Sequence, residues 1–211
     1  MKGAEKRMID IKTVDLFTDE AFIFKMPDHN YWKENIKSIV LVEDNKNLHN
    51  YSTSPDDECN VKAKRTAWDS HLRYNIVRNF TDNVSNIILS FVKAKNFDAP
   101  KIQVLDSWIN WYSKNDYAAP HSHVGHLSLV YFVDVKKTNA KFVFHKDTKF
   151  QLVNKENLNT NYMKTIEVID GDVLMFGSNL NHSVTANTTN KKRITLAANF
   201  AVDYFEERKD Y

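Results

Sequence analysis

Residues 193–202 read Arg-Ile-Thr-Leu-Ala-Ala-Asn-Phe-Ala-Val, and the alternation within them decides the fold class. Side chains along a strand point alternately to its two faces. Ile194, Leu196, Ala198, Phe200 and Val202 therefore share one apolar face, and Arg193, Thr195, Ala197 and Asn199 share the other. The first face belongs against a core. The second offers a guanidinium and a hydroxyl to a pocket. That placement is costly for an unpaired cation but suits a carboxylate, whose two oxygens match the guanidinium fork.

Working back along the chain, short runs rich in Val, Ile, Phe, Tyr and Trp recur at 172–176, 162–169, 141–145, 127–135 and 102–112. Polar turns such as Asp170-Gly171-Asp172 separate them. Short strands at this spacing predict a sandwich, jelly roll or barrel. Before about Lys101 the pattern changes. Phe22–Met26 reads as a strand, and Trp32, Ile36, Ile39 and Val40 fall on one face of a helix that begins after Asp28 or Asn30. Val84, Ile87, Ile88 and Phe91 predict a second helix, capped by Thr81 or Asp82 and running to about Ala94. The polar stretch Asp44–Lys64 predicts a long surface loop. The expectation is a mainly β chain with flanking helices. It would form one domain over residues 1–211, with 1–100 as a supporting flank and 101–205 as the working core.

Composition narrows the function classes. The 211 residues are 42% hydrophobic and carry 29 Lys+Arg against 27 Asp+Glu, which disfavours disorder and a strongly basic nucleic-acid binder. The single cysteine, Cys59, excludes an intramolecular disulfide, a Cys-zinc site and an iron–sulfur cluster, and a reducing compartment follows as the simpler expectation. No apolar run of 18 residues occurs, and Met1–Lys12 lacks the apolar block of a secretion signal, so a cytoplasmic protein without membrane contact is expected. The bias towards Asn and Lys hints at a viral or bacterial origin.

Histidine placement points to metal chemistry. His121 and His123 form an H-x-H pair before the 127–135 strand, and side chains at i and i+2 of an extended segment share a side. His182 follows 61 residues later, after the 172–176 strand. In a closed or double-layered β fold it can complete three facial ligands. Asp116 and His126 stand as other sources of the third ligand. His29, His49, His71, His126 and His145 otherwise read as ordinary surface or core residues. Trp108, Trp111, Tyr112 and Tyr117 read as core filling, Cys59 as unreactive, and Glu206–Asp210 as a solvated end.

These residues carry a resemblance. Trp108–Tyr112, Asp116–His123, Leu127–Val133, Gly171–Phe176, His182–Val184 with Asn187, and Arg193–Asn199 stand in the order found in the Fe(II) and 2-oxoglutarate dependent oxygenases, specifically the group of phage and bacterial genomes. The resemblance covers about 100 residues. It implies a double-stranded β-helix of the jelly-roll, cupin-like type. It also implies Fe(II), 2-oxoglutarate and O2 as cofactors, and hydroxylation of a substrate C–H with release of succinate and carbon dioxide.

Carried over by residue, His121 and His182 resemble the family's imidazole ligands, and Arg193, 11 residues after His182, resembles the partner of the distal carboxylate of 2-oxoglutarate. Thr195 resembles the hydroxyl of the R-x-S/T arrangement, while Ser128 and Asn110 lie on strands flanking the expected pocket. His123 stands where most of the superfamily has a carboxylate, and it is the favoured third ligand; three-imidazole iron sites also support oxygen chemistry.

Two other functions compete. A cupin-like metal enzyme or isomerase would use H-x-H without a keto acid, but cupins usually place a Glu where this chain has Leu127. A non-catalytic jelly-roll module would retain the scaffold alone. No phosphate-binding glycine loop or basic stripe selects a nucleic acid, so the substrate, small molecule or protein, stays open. The 1–100 flank offers a surface on which two copies can pair as a homodimer.

Overall fold

The computed structural model describes residues 9–16, 19–46, 50–51, 61–94, 101–146 and 162–203. His49, Cys59 and residues 206–210 lie outside them. The described elements in chain order are β1 (Ile11–Leu16), β2 (Asp19–Lys25), α1 (His29–Lys46), β3 (Asn50–Tyr51), β4 (Val61–Lys62), β5 (Lys64–Arg65), α2 (Ser70–Arg73) and α3 (Asn75–Ala94). There follow β6 (Lys101–Tyr112), β7 (Tyr117–His121), β8 (Leu127–Asp134), β9 (Phe142–His145), β10 (Met163–Ile166), β11 (Asp172–Gly177), β12 (His182–Val184) and β13 (Arg193–Asp203).

The strands form two antiparallel sheets of a jelly roll, one ordered β1-β2-β11-β8-β13-β6-β5-β3 and the other β10-β9-β12-β7-β4. The alternation along residues 193–202 sets the layering. Ile194, Leu196, Ala198 and Phe200 join a core with Trp32, Ile36 and Val40 of α1 and Val77, Phe80, Val84 and Ile88 of α3, so the helices cover the outer face of the larger sheet. Its inner face meets the smaller sheet through Phe132, Leu174 and Phe176 packed with Phe142, Phe144 and Val184. Burying an aromatic or branched side chain stabilises by about 1.5–3 kcal/mol each, which makes these two clusters the principal support of the layers. No helix among the described residues is long and apolar enough to cross a membrane.

Several boundaries differ from the sequence expectations. The helix expected to begin at Thr81 or Asp82 starts at Asn75, so both lie inside it and neither caps it. The Thr81 hydroxyl instead donates to the Arg78 carbonyl, 2.9 Å away, within its own helix. The expected loop 44–64 holds the end of α1 and the short strands β3 and β4, and ends where β5 begins. Six strands fall outside the runs expected from the sequence: β1, β3, β4, β5, β7 and β12.

Asp44 ties α1 to the larger sheet. Its carboxylate accepts hydrogen bonds from Lys64 Nζ at 2.8 Å and Trp111 Nε1 at 3.2 Å and pairs with Lys192. Burial alone would raise its pKa, yet these donors hold it at about 2, against an ordinary 3.8. A depressed carboxylate stabilises the fold above its unfolded pKa, and that contribution disappears as pH falls through the folded value. Asp44→Asn is expected to cost on the order of 2 kcal/mol at pH 7. In thermal melts across pH, the gap from the wild type should narrow between about pH 4 and pH 2; a gap that stays constant would contradict this role.

Candidate metal centre

Strand pairing brings the two distant histidines together. His182 of β12 is the direct cross-strand partner of His121 of β7, and cross-strand neighbours on one face lie in side-chain contact. Their rings are 4.5 Å apart between centroids. His123 lies beyond the end of β7, so the shared side expected of an extended i, i+2 pair is not what places it. A latch does: His123 N–H donates to the Ser178 carbonyl at 2.8 Å, and Ser178 N–H donates to the His126 carbonyl at 3.2 Å. Gly125, at φ +108, turns the chain in this latch, where a side chain would press on the Phe200 carbonyl at 3.2 Å.

Tautomers follow from the acceptors. His121 Nδ1 lies 2.7 Å from the Ala119 carbonyl and His182 Nδ1 lies 2.9 Å from the Leu180 carbonyl. A carbonyl only accepts, so both protons are assigned to Nδ1 and both Nε2 lone pairs are free to coordinate. His123 Nε2 is 3.2 Å from His182 Nε2. That spacing suits two adjacent donors on one ion with bonds of about 2.1 Å. One nitrogen from each of His121, His123 and His182 lies within 4.8 Å of the others, with no carboxylate in the group.

Electrostatics keep the triad ready for a cation. Burial lowers all three pKa values: His121 against the pull of the Ala119 carbonyl, His123 to about 4 with help from His121, and His182 well below the ordinary imidazole value. The rings are neutral at pH 7, the form that ligates. Asp116 and His126 are occupied elsewhere. The Asp116 carboxylate accepts from Ser113 N–H at 2.8 Å, and His126 Nδ1 accepts from Val202 N–H at 2.9 Å. His145 bonds Ser183, His29 bonds Tyr131 and His71 bonds Ser107, as ordinary structural histidines do.

The triad opens on a cavity of about 340 Å³ between the sheets, within the range of a small-molecule site. Arg193, Thr195 and Asn110 line it; Ser128 does not. Ser128 is buried at hydrogen-bond distance from Ser178 Oγ, 3.0 Å, and Asn199 Oδ1, 2.7 Å. Trp108 and Tyr112 are buried and line the cavity as well, whereas Tyr117 is exposed rather than core filling.

Arg193 is the anomaly. It is 1% exposed, and Nε, Nη1 and Nη2 all lack a hydrogen-bond partner among the described residues. Its guanidinium carbon lies 5.3 Å from the Phe132 ring centre. Burial lowers its pKa to about 10, so it is still charged at pH 7. A buried cation with no counter-charge among the described residues is expensive, and an anion in the cavity would offset that cost. Sequence reading did not single out Arg65 and Trp68, which share the cavity wall; a lone arginine after a polar run carries no pattern.

Residues 106–199 match the model of the family described as "Putative 2OG-Fe(II) oxygenase". No curated protein matches the chain. Among solved structures, a prolyl-4-hydroxylase of Pseudomonas putida is similar at TM-score 0.60 and 10% identity, covering 90% of this chain and 96% of that one. HygX of Streptomyces hygroscopicus, solved with nickel, 2-oxoglutarate and hygromycin B, is similar at 0.62 and 12%, covering 90% and 86%. A Trichoplax adhaerens prolyl hydroxylase in complex with a hypoxia inducible factor peptide is similar at 0.62 and 12%, covering 88% and 84%.

Proposed function

We propose that this chain, whose residues 106–199 match the 2OG-Fe(II) oxygenase family model, is an Fe(II)- and 2-oxoglutarate-dependent dioxygenase that hydroxylates its substrate. The observation that carries the reading is the shared cavity: three neutral imidazoles converge at one place in its wall, and a fully buried, unpartnered guanidinium stands at another. A metal and an anion are what those two features fit.

His121, His123 and His182 would hold the Fe(II), and the carbonyls of Ala119 and Leu180 fix the rings of the first and last. Arg193 would hold the distal carboxylate of 2-oxoglutarate as a charge-assisted pair, with the Thr195 hydroxyl beside it. Asn110, whose buried Oδ1 lacks a partner among the described residues, is available to a donor on cosubstrate or substrate. When bound, the iron and keto acid supply the oxidising chemistry that couples decarboxylation to insertion of oxygen into a C–H bond. The chain's own part is to orient both partners and to keep water from the cavity, which Phe142, Val130 and Val184 line with apolar surface.

The similar folds include both a prolyl-4-hydroxylase and HygX with hygromycin B bound, so the fold itself selects no substrate. The test is turnover. With Fe(II), 2-oxoglutarate and O2, the chain should release succinate and carbon dioxide in equal amounts, slowly without substrate, and His182→Ala should abolish it. Absence of succinate from a chain that has taken up iron and 2-oxoglutarate would contradict the reading.

A further inference from the structure

A second cation faces the same cavity. Arg65 of β5 is 7% exposed, and its Nε has no hydrogen-bond partner among the described residues. Its one hydrogen bond among the described residues is a long one from Nη1 to the Thr66 carbonyl, 3.4 Å. The Nε–Nη2 edge, the side that grips a carboxylate with two parallel bonds, is thus left unpaired by the described residues. Its guanidinium carbon sits 4.0 Å from the centre of the Trp68 ring.

Strand register explains why it points inward. Arg65 pairs with Asn110, which pairs with Thr195, so the three lie in one row on the cavity face of the sheet. Lys64, one residue back, points to the opposite face and reaches Asp44. Arg65 and Arg193 also sit in different surroundings. Arg193 packs over the fully buried Phe132, whereas Arg65 packs under Trp68, which is 41% exposed at the cavity rim. From that rim, Trp68 meets Trp108 edge-on at 4.5 Å and Trp108 meets His123 at 5.4 Å, an aromatic wall leading to the triad.

The charges of the wall are one-sided. Among the described residues its lining includes two arginines and no carboxylate, and the triad is neutral. A single keto acid held by Arg193 leaves Arg65 uncompensated, and a desolvated guanidinium strongly favours an anion over a neutral group.

We propose that Arg65 is a second anion anchor, distinct from Arg193, which holds a carboxylate on the substrate while the Trp68–Trp108 wall packs its apolar body. The enzyme would then act on small carboxylic acids, an assignment of substrate class that rests on the oxygenase reading above. The anchor itself rests only on Arg65 and its surroundings.

The experiment is calorimetric titration of the full chain with phenylacetate, indole-3-acetate and hippurate, each compared with its primary amide. It is run on the metal-free chain and on the chain loaded with Mn(II) and 2-oxoglutarate. The expected result is that at least one acid binds about tenfold or more tightly than its amide in both states. Arg65→Gln should erase that preference while changing 2-oxoglutarate affinity less than about threefold, and Arg65→Lys, which keeps charge without the fork, should retain part of it. The lysine variant carries the test if the glutamine variant does not fold. Equal binding of every acid and amide overturns the proposal, as does a preference untouched in the variants. So does a parallel loss of 2-oxoglutarate affinity, which would put Arg65 at the keto-acid position. If the wild type fails to bind 2-oxoglutarate yet the metal-free chain prefers the acid through Arg65, the anchor stands and the oxygenase reading falls.

Discussion

Replacing Arg193 with methionine is expected to weaken 2-oxoglutarate binding by about 100-fold or more, roughly 2.7 kcal/mol, without lowering the melting temperature of the ligand-free chain. The two halves of that result share one cause. All three guanidinium nitrogens are buried without partners among the described residues, so the side chain adds no hydrogen bond to that part of the ligand-free fold and bears the cost of desolvating its charge. An apolar side chain of similar length removes that cost and fills the same space above Phe132. The cosubstrate, in contrast, would lose its charge-assisted pair. Arg193→Lys should fall between the two, since an ammonium supplies charge but no planar fork. Isothermal titration and thermal melts check both halves. A variant that binds 2-oxoglutarate like the wild type would remove Arg193 from the site, and a large loss of stability would show that it serves the fold.

Removing any one of the three converging imidazoles is expected to reduce bound iron from about one per chain to below about a tenth, because a ferrous ion held by only two neutral nitrogens exchanges readily with solvent. His123→Ala is the informative member of the set. It separates a three-imidazole centre from one completed by a group elsewhere, and Asp116 and His126 already have structural partners. His123→Asp should retain iron, since a carboxylate at that position gives the commoner two-His-one-carboxylate set. His145→Ala serves as the control: that ring bonds Ser183 and is not in the converging group, so iron content should hold. Metal analysis after anaerobic loading and desalting reads the outcome. Full iron in His123→Ala would disprove the triad as drawn here.

Much of this was legible in the sequence, and the reasons for success and failure are physical. The alternation over residues 193–202 placed Arg193 and Thr195 on the cavity face and Ile194, Leu196, Ala198 and Phe200 on the helix-covered core, because a long strand between two layers has strict two-residue periodicity. The histidines were visible by residue type and spacing, but their meeting depends on the β7–β12 register, which no local pattern encodes. Strands of two or three residues, such as β5 and β12, are too short to show a period. The first turns of α3 were missed although Val77 and Phe80 continue the apolar face of Val84 and Ile88, because Thr81 and Asp82 suggested a cap inside it. Arg65 and Trp68 went unnoticed for a related reason. Their significance lies in the neighbours that sheet pairing gives them, and nothing in the adjoining polar stretch announces it.

The central claim is that one cavity unites a His121–His123–His182 iron site with an Arg193 keto-acid site, and anaerobic titration tests it most directly. Adding Fe(II) and then 2-oxoglutarate under nitrogen should produce the weak visible charge-transfer absorption of a keto acid chelated to ferrous iron. That band should saturate at about one equivalent of each. It should disappear in His121→Ala and require far more 2-oxoglutarate in Arg193→Met. A wild-type chain that shows no band and binds no 2-oxoglutarate, or a band that survives unchanged in both variants, would contradict the account.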